Sequence, residues 1–181
     1  MTYPNLQPDA IRIAYIQIHY NEDSSIRGGL LVVDEKLRPF EFRITSPIKP
    51  TELQIILYGS SLSEYVYSEL IFRPLVQSTK EKLSLVVTKD RNFLNLRPLI
   101  EVPVIYLSEK KEKDSLPINS SGSESPIGYI NCHRKFMSEL QPAQKLILEV
   151  CNEVKNIHEP FERLRTALIE VHRLKPESSE K

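Results

Sequence analysis

The length, composition and charge of this chain limit what it can be. Its 181 residues suffice for one ordinary domain with a core plus an appendage, and 40% of them are apolar. Lysine and arginine number 24, as do aspartate and glutamate, which argues against a dominant polyanion-binding role, although a balanced total can hide a local basic face. No signal-like start and no apolar run of about 18 residues occur, so we expect a cytoplasmic protein with no membrane partner.

Three antiparallel strands are predicted first. Apolar and polar residues alternate from 11 to 20, which is the period-two pattern of a strand with one buried face. The uninterrupted apolar run 30–33 indicates a strand that is covered on both faces. Alternation returns over 40–45, so residues 29–45 are predicted to form a hairpin with a short polar turn.

Two helices are predicted next. Thr51 and Gln54 have the spacing of a capping box, in which the hydroxyl and the amide side chain take up free N–H groups of the first turn. Ser61 and Glu64 repeat this spacing further along the chain. We therefore expect one short helix after Thr51 and a second helix after Ser61.

Two further strands and a third helix complete the predicted domain. Residues 83–87 are a compact β-branched run, residues 93–99 suit a short helix, and residues 102–107 suit a strand that Pro103 places at a sheet edge. The order β-β-β-α-β-α-β predicts a mixed α/β sheet domain over residues 8–107. Three antiparallel strands are extended by parallel ones, with helices packed on the sheet.

The rest of the chain is predicted to be a linker followed by a helical hairpin. Residues 108–128 contain too few apolar side chains to offset the entropy of ordering, so we expect a flexible linker. Residues 136–173 are predicted to form two amphipathic helices that dock on a protein partner or on a second copy of the chain. The predicted partner-binding residues are Leu146, Val150, Val154, Phe161, Leu164 and Leu168.

Motifs for cofactors and metals are missing from the sequence. The five glycines form no phosphate-binding loop ahead of a helix, and no cofactor is predicted. The histidines and the two cysteines show no ligand spacing, so no metal site is predicted from them.

The predicted element order over residues 11–107 resembles that of ribonuclease-H-like domains. The resemblance implies two-metal chemistry, with carboxylates from the first strand, the first helix and the end of the fourth strand. It implies Glu64 or Glu69 as the helix acid, Asp90 as the later acid, and Mg²⁺ as the cofactor of this alternative. The first strand, IRIAYIQIHY, has no carboxylate, and neither Gln17 nor His19 replaces a bridging aspartate well. This departure favours a non-catalytic version of the fold.

A second resemblance concerns the predicted hairpin. The sequence GLLVVDEKLRPFEF, residues 29–42, looks like the central hairpin of roadblock, longin or PAS-like domains. This resemblance implies binding of partners or small ligands through the sheet or a helix.

Three functions follow as hypotheses. The first is a non-enzymatic accessory or scaffold protein that docks through its C-terminal helices. The second is a metal-dependent nuclease-like domain that uses Glu64 or Glu69 with Asp90. The third is binding of single-stranded nucleic acid by the sheet face through Tyr15, Phe40 and Phe42, because bases stack on aromatic side chains.

Overall fold

A computed structural model describes residues 10–119, 125–153 and 156–174 of the chain. A mixed sheet of seven strands runs through these residues in the order β3-β2-β1-β4-β5-β7-β6. The strands are β1 (Ile13–Tyr20), β2 (Ile26–Val33), β3 (Pro39–Ile44), β4 (Leu85–Thr88), β5 (Val104–Ser108), β6 (Leu116–Ile118) and β7 (Gly128–Cys132).

The pairing confirms the predicted mixed α/β sheet. β1 pairs antiparallel with β2 and parallel with β4, while β4 pairs parallel with β5. The apolar run of β2 is buried on both faces, because Leu31 and Val33 join the core on one side and Leu30 and Val32 join the core on the other. The three N-terminal strands thus form the predicted antiparallel unit.

Helical elements cover both faces of the sheet. After β3, α1 (Glu52–Tyr58) has no buried residue, and a 3₁₀ turn (Gly59–Ser61) joins it to α2 (Leu62–Tyr65). One face of the sheet is covered by α2, a π-helical stretch (Val66–Phe72), α3 (Arg73–Gln77) and a 3₁₀ helix (Arg91–Leu99). A further 3₁₀ helix (Arg134–Glu139) leads into α4 (Leu140–Glu153), and α5 (Glu159–Arg173) follows; α4 and α5 cover the other face.

The two predicted capping boxes have different outcomes. The first is confirmed, since the backbone N–H of Gln54 donates to Thr51 Oγ1 at 3.2 Å and the backbone N–H of Thr51 donates to Gln54 Oε1 at 2.8 Å. The second is wrong, because Ser61 makes no cap hydrogen bond and its hydroxyl donates to the carbonyl of Tyr58 at 2.7 Å. The helical path breaks at Gly59 (φ 50°, ψ −127°), and Ser61 follows with helical backbone angles (φ −84°, ψ −6°) in place of the extended ones that an N-cap needs.

Residues beyond the predicted domain extend the sheet. The strand after Pro103 is not an edge strand, because β5 pairs with β4 on one side and β7 on the other. Pro103 precedes the strand, where its missing N–H does not interrupt the ladder. The predicted linker, 108–128, contains β6 at Leu116–Ile118, so its description as flexible is wrong for these residues. Ile118 is fully buried, and this burial offsets the entropy of ordering a short segment.

The C-terminal helices pack on the sheet of their own chain. Leu146 is partly buried, and Val150, Phe161, Leu164 and Leu168 are buried in the core cluster. Their predicted role in docking a partner is therefore corrected, because an apolar sheet face needs a covering layer and these residues supply it. Val154 lies outside the described residues.

Within the described ranges, no helix is long and apolar enough to cross a membrane.

Candidate nucleic-acid interface

The three predicted catalytic carboxylates have other structural roles. Glu64 is exposed on α2, and Glu69 forms an ion pair with Arg73 at 2.9 Å. Asp90 is the N-cap of the 3₁₀ helix Arg91–Leu99, and its carboxylate accepts from the backbone N–H of Asn92 at 2.9 Å. Glu64 and Glu69 border one open cavity of about 340 Å³, whereas Asp90 is not part of its wall. The structure therefore does not bring the three carboxylates together.

Gln17, inside β1, lies beside Lys89, which follows the carboxyl end of β4. Ile16 pairs with Thr88 in the parallel register, so the next residues of the two strands lie side by side. The Gln17 side-chain amide donates to the carbonyl of Phe161 at 3.0 Å, and Lys89 Nζ lies 5.3 Å from the centre of the Phe161 ring. An amide that donates its N–H and a cation do not suit a divalent metal, which needs oxygen ligands with negative charge. The residues present do not fit the Mg²⁺ that the nuclease-like alternative implies.

Among the residues that the structure describes, no group of three or more His, Cys, Asp and Glu side chains could hold a metal ion.

The aromatic residues predicted to stack bases are only partly available. Tyr15 is buried, and its ring meets the Phe161 ring edge to face with centroids 5.0 Å apart. The predicted base-stacking role of Tyr15 is wrong, because α5 covers this face of the sheet. Phe40 and Phe42 are exposed on the edge strand β3, where the Arg12 guanidinium lies 3.7 Å above the Phe40 ring.

A groove of about 970 Å³ lies beyond the carboxyl end of β4. Its walls come from three separate segments: residues 91–95 of the 3₁₀ helix, the loop 112–114 after β5, and residues 131–137 at the end of β7. Arg91, Lys113, Arg134 and Lys135 line it, against the carboxylates of Glu112 and Asp114. The four cationic side chains outnumber the two carboxylates, so the groove is locally positive although the chain as a whole has no net charge.

Most of the cations in the groove have no ion-pair partner. Lys113, Arg134 and Lys135 are exposed and take part in none of the ion pairs formed between described residues. Arg91 pairs with Glu112 at 2.8 Å, and its guanidinium lies 5.8 Å above the Tyr106 ring. Three of the four charges can thus face a ligand directly.

Hydrogen bonds hold two walls of the groove in place. The buried Asn131 on β7 donates through its amide to the carbonyl of Lys113 at 3.2 Å, which ties the loop 112–114 to the sheet. His133 is the N-cap of the 3₁₀ helix Arg134–Glu139, since its Nδ1 accepts from the backbone N–H of Lys135 at 3.2 Å. This cap fixes the start of the helix that carries Arg134 and Lys135.

Cys132 also lines the groove but is unsuited to act as a nucleophile. Its Sγ lies 3.4 Å from the carbonyl of Phe136 and 3.7 Å from Met137 Sδ. Burial, followed by the negative charge of Glu139, raises the pKa of the thiol, which keeps it protonated.

A smaller polar cavity of about 220 Å³ adjoins the groove. Asn92 and Asn95 line both spaces, and the smaller one is closed by Ser60, Ser63, Glu64, Tyr67, Ser68 and Leu96. The Tyr67 hydroxyl shares a hydrogen bond with the Tyr20 hydroxyl at the end of β1. Burial raises the Tyr67 pKa above its ordinary value. The two spaces together present side-chain amides and hydroxyls next to the cations.

The sequence is similar to no known protein-family model and to no curated protein. Solved structures do match. Endonuclease V from Ciona intestinalis, in complex with a 24mer DNA containing an inosine followed by a ribo-adenosine, has a TM-score of 0.58 at 13% identity over 91% of this chain and 89% of that one. The catalytic domain of human Endonuclease V has a TM-score of 0.53 at 11% identity over 93% of this chain and 86% of that one.

The fold is ribonuclease-H-like. This confirms the predicted fold class, and at these identities the likeness concerns the fold alone. The comparison favours this outline over the roadblock, longin or PAS-like alternative.

Proposed function

We propose that this ribonuclease-H-like chain binds nucleic acid through the groove formed by residues 91–95, 112–114 and 131–137. The observation that carries the proposal is the set of four cationic side chains on one groove, three of which have no ion-pair partner among the described residues. Lysine and arginine neutralise phosphates and release condensed counterions, which is the main source of affinity for nucleic acid. The fold adds support, because a structurally similar Endonuclease V was solved with DNA bound.

The residues of the groove divide between two kinds of contact. Lys113, Arg134 and Lys135 are placed to contact phosphates, which position a strand without reading its sequence. The side chains of Asn92 and Asn95 can donate and accept hydrogen bonds at base edges or sugars. The arrangement supports binding that depends strongly on salt and weakly on sequence.

We propose binding rather than metal-dependent cleavage. Gln17 of β1 lies beside Lys89 at the carboxyl end of β4, and neither side chain offers an anionic oxygen to a divalent cation. Asp90 already serves as a helix cap, and Glu69 is paired with Arg73. The nuclease-like alternative therefore has less support than nucleic-acid binding. Docking of a protein partner through the apolar faces of α4 and α5 has the least support, because those faces are buried against the sheet.

Fluorescence anisotropy with a labelled single-stranded 20mer, at several KCl concentrations, tests this function. The variant Lys113→Gln/Arg134→Gln/Lys135→Gln should bind at least about 10-fold more weakly at low salt. The slope of log Kd against log salt should also fall by about 2 to 3, because up to three phosphate contacts are lost.

The matched control is Lys36→Gln/Lys82→Gln/Lys145→Gln, which removes the same charge from exposed lysines outside the groove. It should keep the affinity and the salt slope of the wild type. Equal losses in the two variants, or no binding by the wild type at micromolar concentration and low salt, would contradict the proposal.

A further inference from the structure

Arg27 on β2 is a buried cation, and two of its side-chain donor atoms have no hydrogen-bond partner among the residues that the structure describes. The residue is 2% exposed. It lies two positions before Gly29 on the same face of β2, and this face is covered by α5, because a side chain at Gly29 would meet Leu164 and Leu168. The two donor atoms are Nε and Nη2, and both are buried. A buried donor without an acceptor carries its full desolvation cost, so a ligand that accepts hydrogen bonds from this guanidinium would stabilise the folded chain.

The two free donors form one edge of the guanidinium. The N–H groups of Nε and Nη2 point in nearly parallel directions, which is the geometry that binds two oxygens of one carboxylate or phosphate. Both donors of this edge are unpartnered at once. The free edge thus fits an anion with two oxygens better than a single neutral acceptor.

The surroundings of Arg27 are mainly basic. His19 on β1 is its cross-strand partner, and His172 and Arg165 on α5 act electrostatically on His19. Nδ1 of His172 is also buried, and it has no partner in the part of the chain that the structure describes. Several donors or cations are therefore close to one another where α5 packs on β1 and β2.

One oxygen of the acidic side chain near this cluster, Asp23, is already engaged. Asp23 acts electrostatically on both Arg27 and His172. Its Oδ1, however, accepts from the backbone N–H of Ser25 at 2.9 Å and from the hydroxyl of Ser25 at 2.5 Å. Asp23 offsets part of the charge but does not supply the missing acceptors. Residues 22–24 of this turn are exposed, which leaves the cluster next to solvent.

We propose that Arg27, His19 and His172 form a binding site for an oxyanion of the phosphate class. Two oxygens of the anion would accept from Nε and Nη2 of Arg27, and the imidazoles would donate to the remaining oxygens. The site is separate from the groove, because it lies under α5, whereas the 3₁₀ helix Arg91–Leu99 packs on the other face of the sheet.

The probe is inorganic phosphate, compared with chloride at matched ionic strength, and the readouts are the Tm of the full chain and calorimetric titration. Phosphate at several times its Kd should raise the Tm of the wild type by about 3 °C. The variant Arg27→Met should lose this shift. It should also unfold at a higher temperature than the wild type in phosphate-free buffer, because a buried unpaired charge is replaced by an apolar side chain of similar length.

Two control variants keep the test decisive. Arg173→Met makes the same substitution at an exposed position on the end of α5 and should keep the full phosphate shift. His172→Asn leaves Arg27 in place and should weaken phosphate binding without abolishing it, which still reports on the site if Arg27→Met does not fold. The groove variant Lys113→Gln/Arg134→Gln/Lys135→Gln should keep the phosphate shift even where it loses oligonucleotide, so the two proposals can fail separately.

The same variants distinguish a free phosphate from a backbone phosphate. If Arg27→Met binds an oligonucleotide without terminal phosphates as tightly as the wild type does, the ligand is a free phosphate or a small phosphorylated molecule. If it loses affinity for that oligonucleotide, the site holds a phosphodiester. Absence of a phosphate shift and of calorimetric heat in the wild type would overturn the proposal, and so would equal shifts in the wild type and Arg27→Met.

Discussion

Arg97 and Glu139 form an ion pair that joins two walls of the cationic groove. Arg97 Nε lies 2.8 Å from Glu139 Oε2, and the two side chains are 11% and 22% exposed. The Arg97 guanidinium also lies 4.2 Å from the centre of the Phe136 ring. The pair therefore connects the 3₁₀ helix Arg91–Leu99 to the 3₁₀ helix Arg134–Glu139, which carries two of the cations.

Breaking this pair should loosen the groove and the fold together. Glu139→Gln leaves the largely buried Arg97 without its counter-charge, so the free energy of unfolding should fall by about 1–2 kcal/mol in urea titrations. Oligonucleotide affinity should fall as well, because Arg134 and Lys135 lose their fixed position. Glu170→Gln breaks an exposed ion pair with Arg173 and should cost less than about 0.5 kcal/mol. Equal costs for the two variants would argue against a role for the Arg97–Glu139 pair.

Removing the carboxylate of Glu112 should strengthen binding. Glu112 holds Arg91 in an ion pair, so it competes with a phosphate for the same guanidinium. Glu112→Gln should lower the Kd for the labelled 20mer by about 3- to 10-fold at low salt, since one more cation can contact the strand. Glu109→Gln makes the same charge change at an exposed residue outside the groove wall. If both variants gain equally, only net charge matters and Arg91 has no specific role.

Asp90 should behave as a helix cap and not as a metal ligand. Asp90→Ala removes the acceptor for the Asn92 N–H and should lower the free energy of unfolding by about 1 kcal/mol. Asp90→Asn keeps a good capping side chain and should leave stability nearly unchanged. Mn²⁺ should shift the Tm of the wild type and of Asp90→Asn by the same small amount. A Mn²⁺ shift present in the wild type and lost in Asp90→Asn would restore the nuclease-like alternative.

His19 should make the fold less stable in mild acid. Burial, then Arg165 and His172, lower the pKa of His19 below its ordinary value of 6.5, and Arg27 lies beside it. In the unfolded chain the imidazole takes up a proton near that value, but in the folded chain only at lower pH. The free energy of unfolding should therefore be highest above the ordinary pKa and should fall as the pH drops through it.

Urea unfolding at pH 7.5 and pH 5.5, in buffer without phosphate, measures this effect. His19→Gln removes the titrating group, so its free energy of unfolding should change less between the two pH values than that of the wild type. Asp23, Lys49, Arg165 and His172 remain in both proteins, which isolates the contribution of His19. The same pH dependence in wild type and variant would assign the effect to other groups.

Features encoded within a few consecutive residues could be predicted from the sequence. The strand β1 and the capping box at Thr51 rest on local patterns, and both elements are confirmed. The single buried face predicted for β1 is wrong, because Ile13 and Tyr15 join the core on one side of the sheet and Ala14 and Ile16 join the core on the other. β6 could not be predicted, because a strand of three residues has no periodicity of its own and is ordered by pairing with β7 and by contact with α4. The amphipathic pattern of α5 correctly indicated one buried face but could not identify the surface that buries it.

The candidate interface depended on contacts that are distant in sequence. Arg91, Lys113 and Arg134 come from three separate segments, so neutral overall charge concealed their convergence. The adjacent pair Arg134-Lys135 was a local signal, but a pair of cations in isolation is common on solvated surfaces. Element order alone indicates Glu64, Glu69 and Asp90 as candidate metal ligands, and element order cannot establish where side chains point.

Prolines on both edge strands of the sheet disfavour strand pairing between copies of the chain. Pro39 begins β3 and Pro117 is the middle residue of β6, and these are the two outermost strands of the described sheet. A proline has no N–H to offer to an approaching strand, and the carbonyl of Pro117 already accepts from the Gln144 amide at 2.6 Å. Neither margin is therefore a good template for intermolecular β-pairing, which disfavours amyloid-like assembly of the native protein.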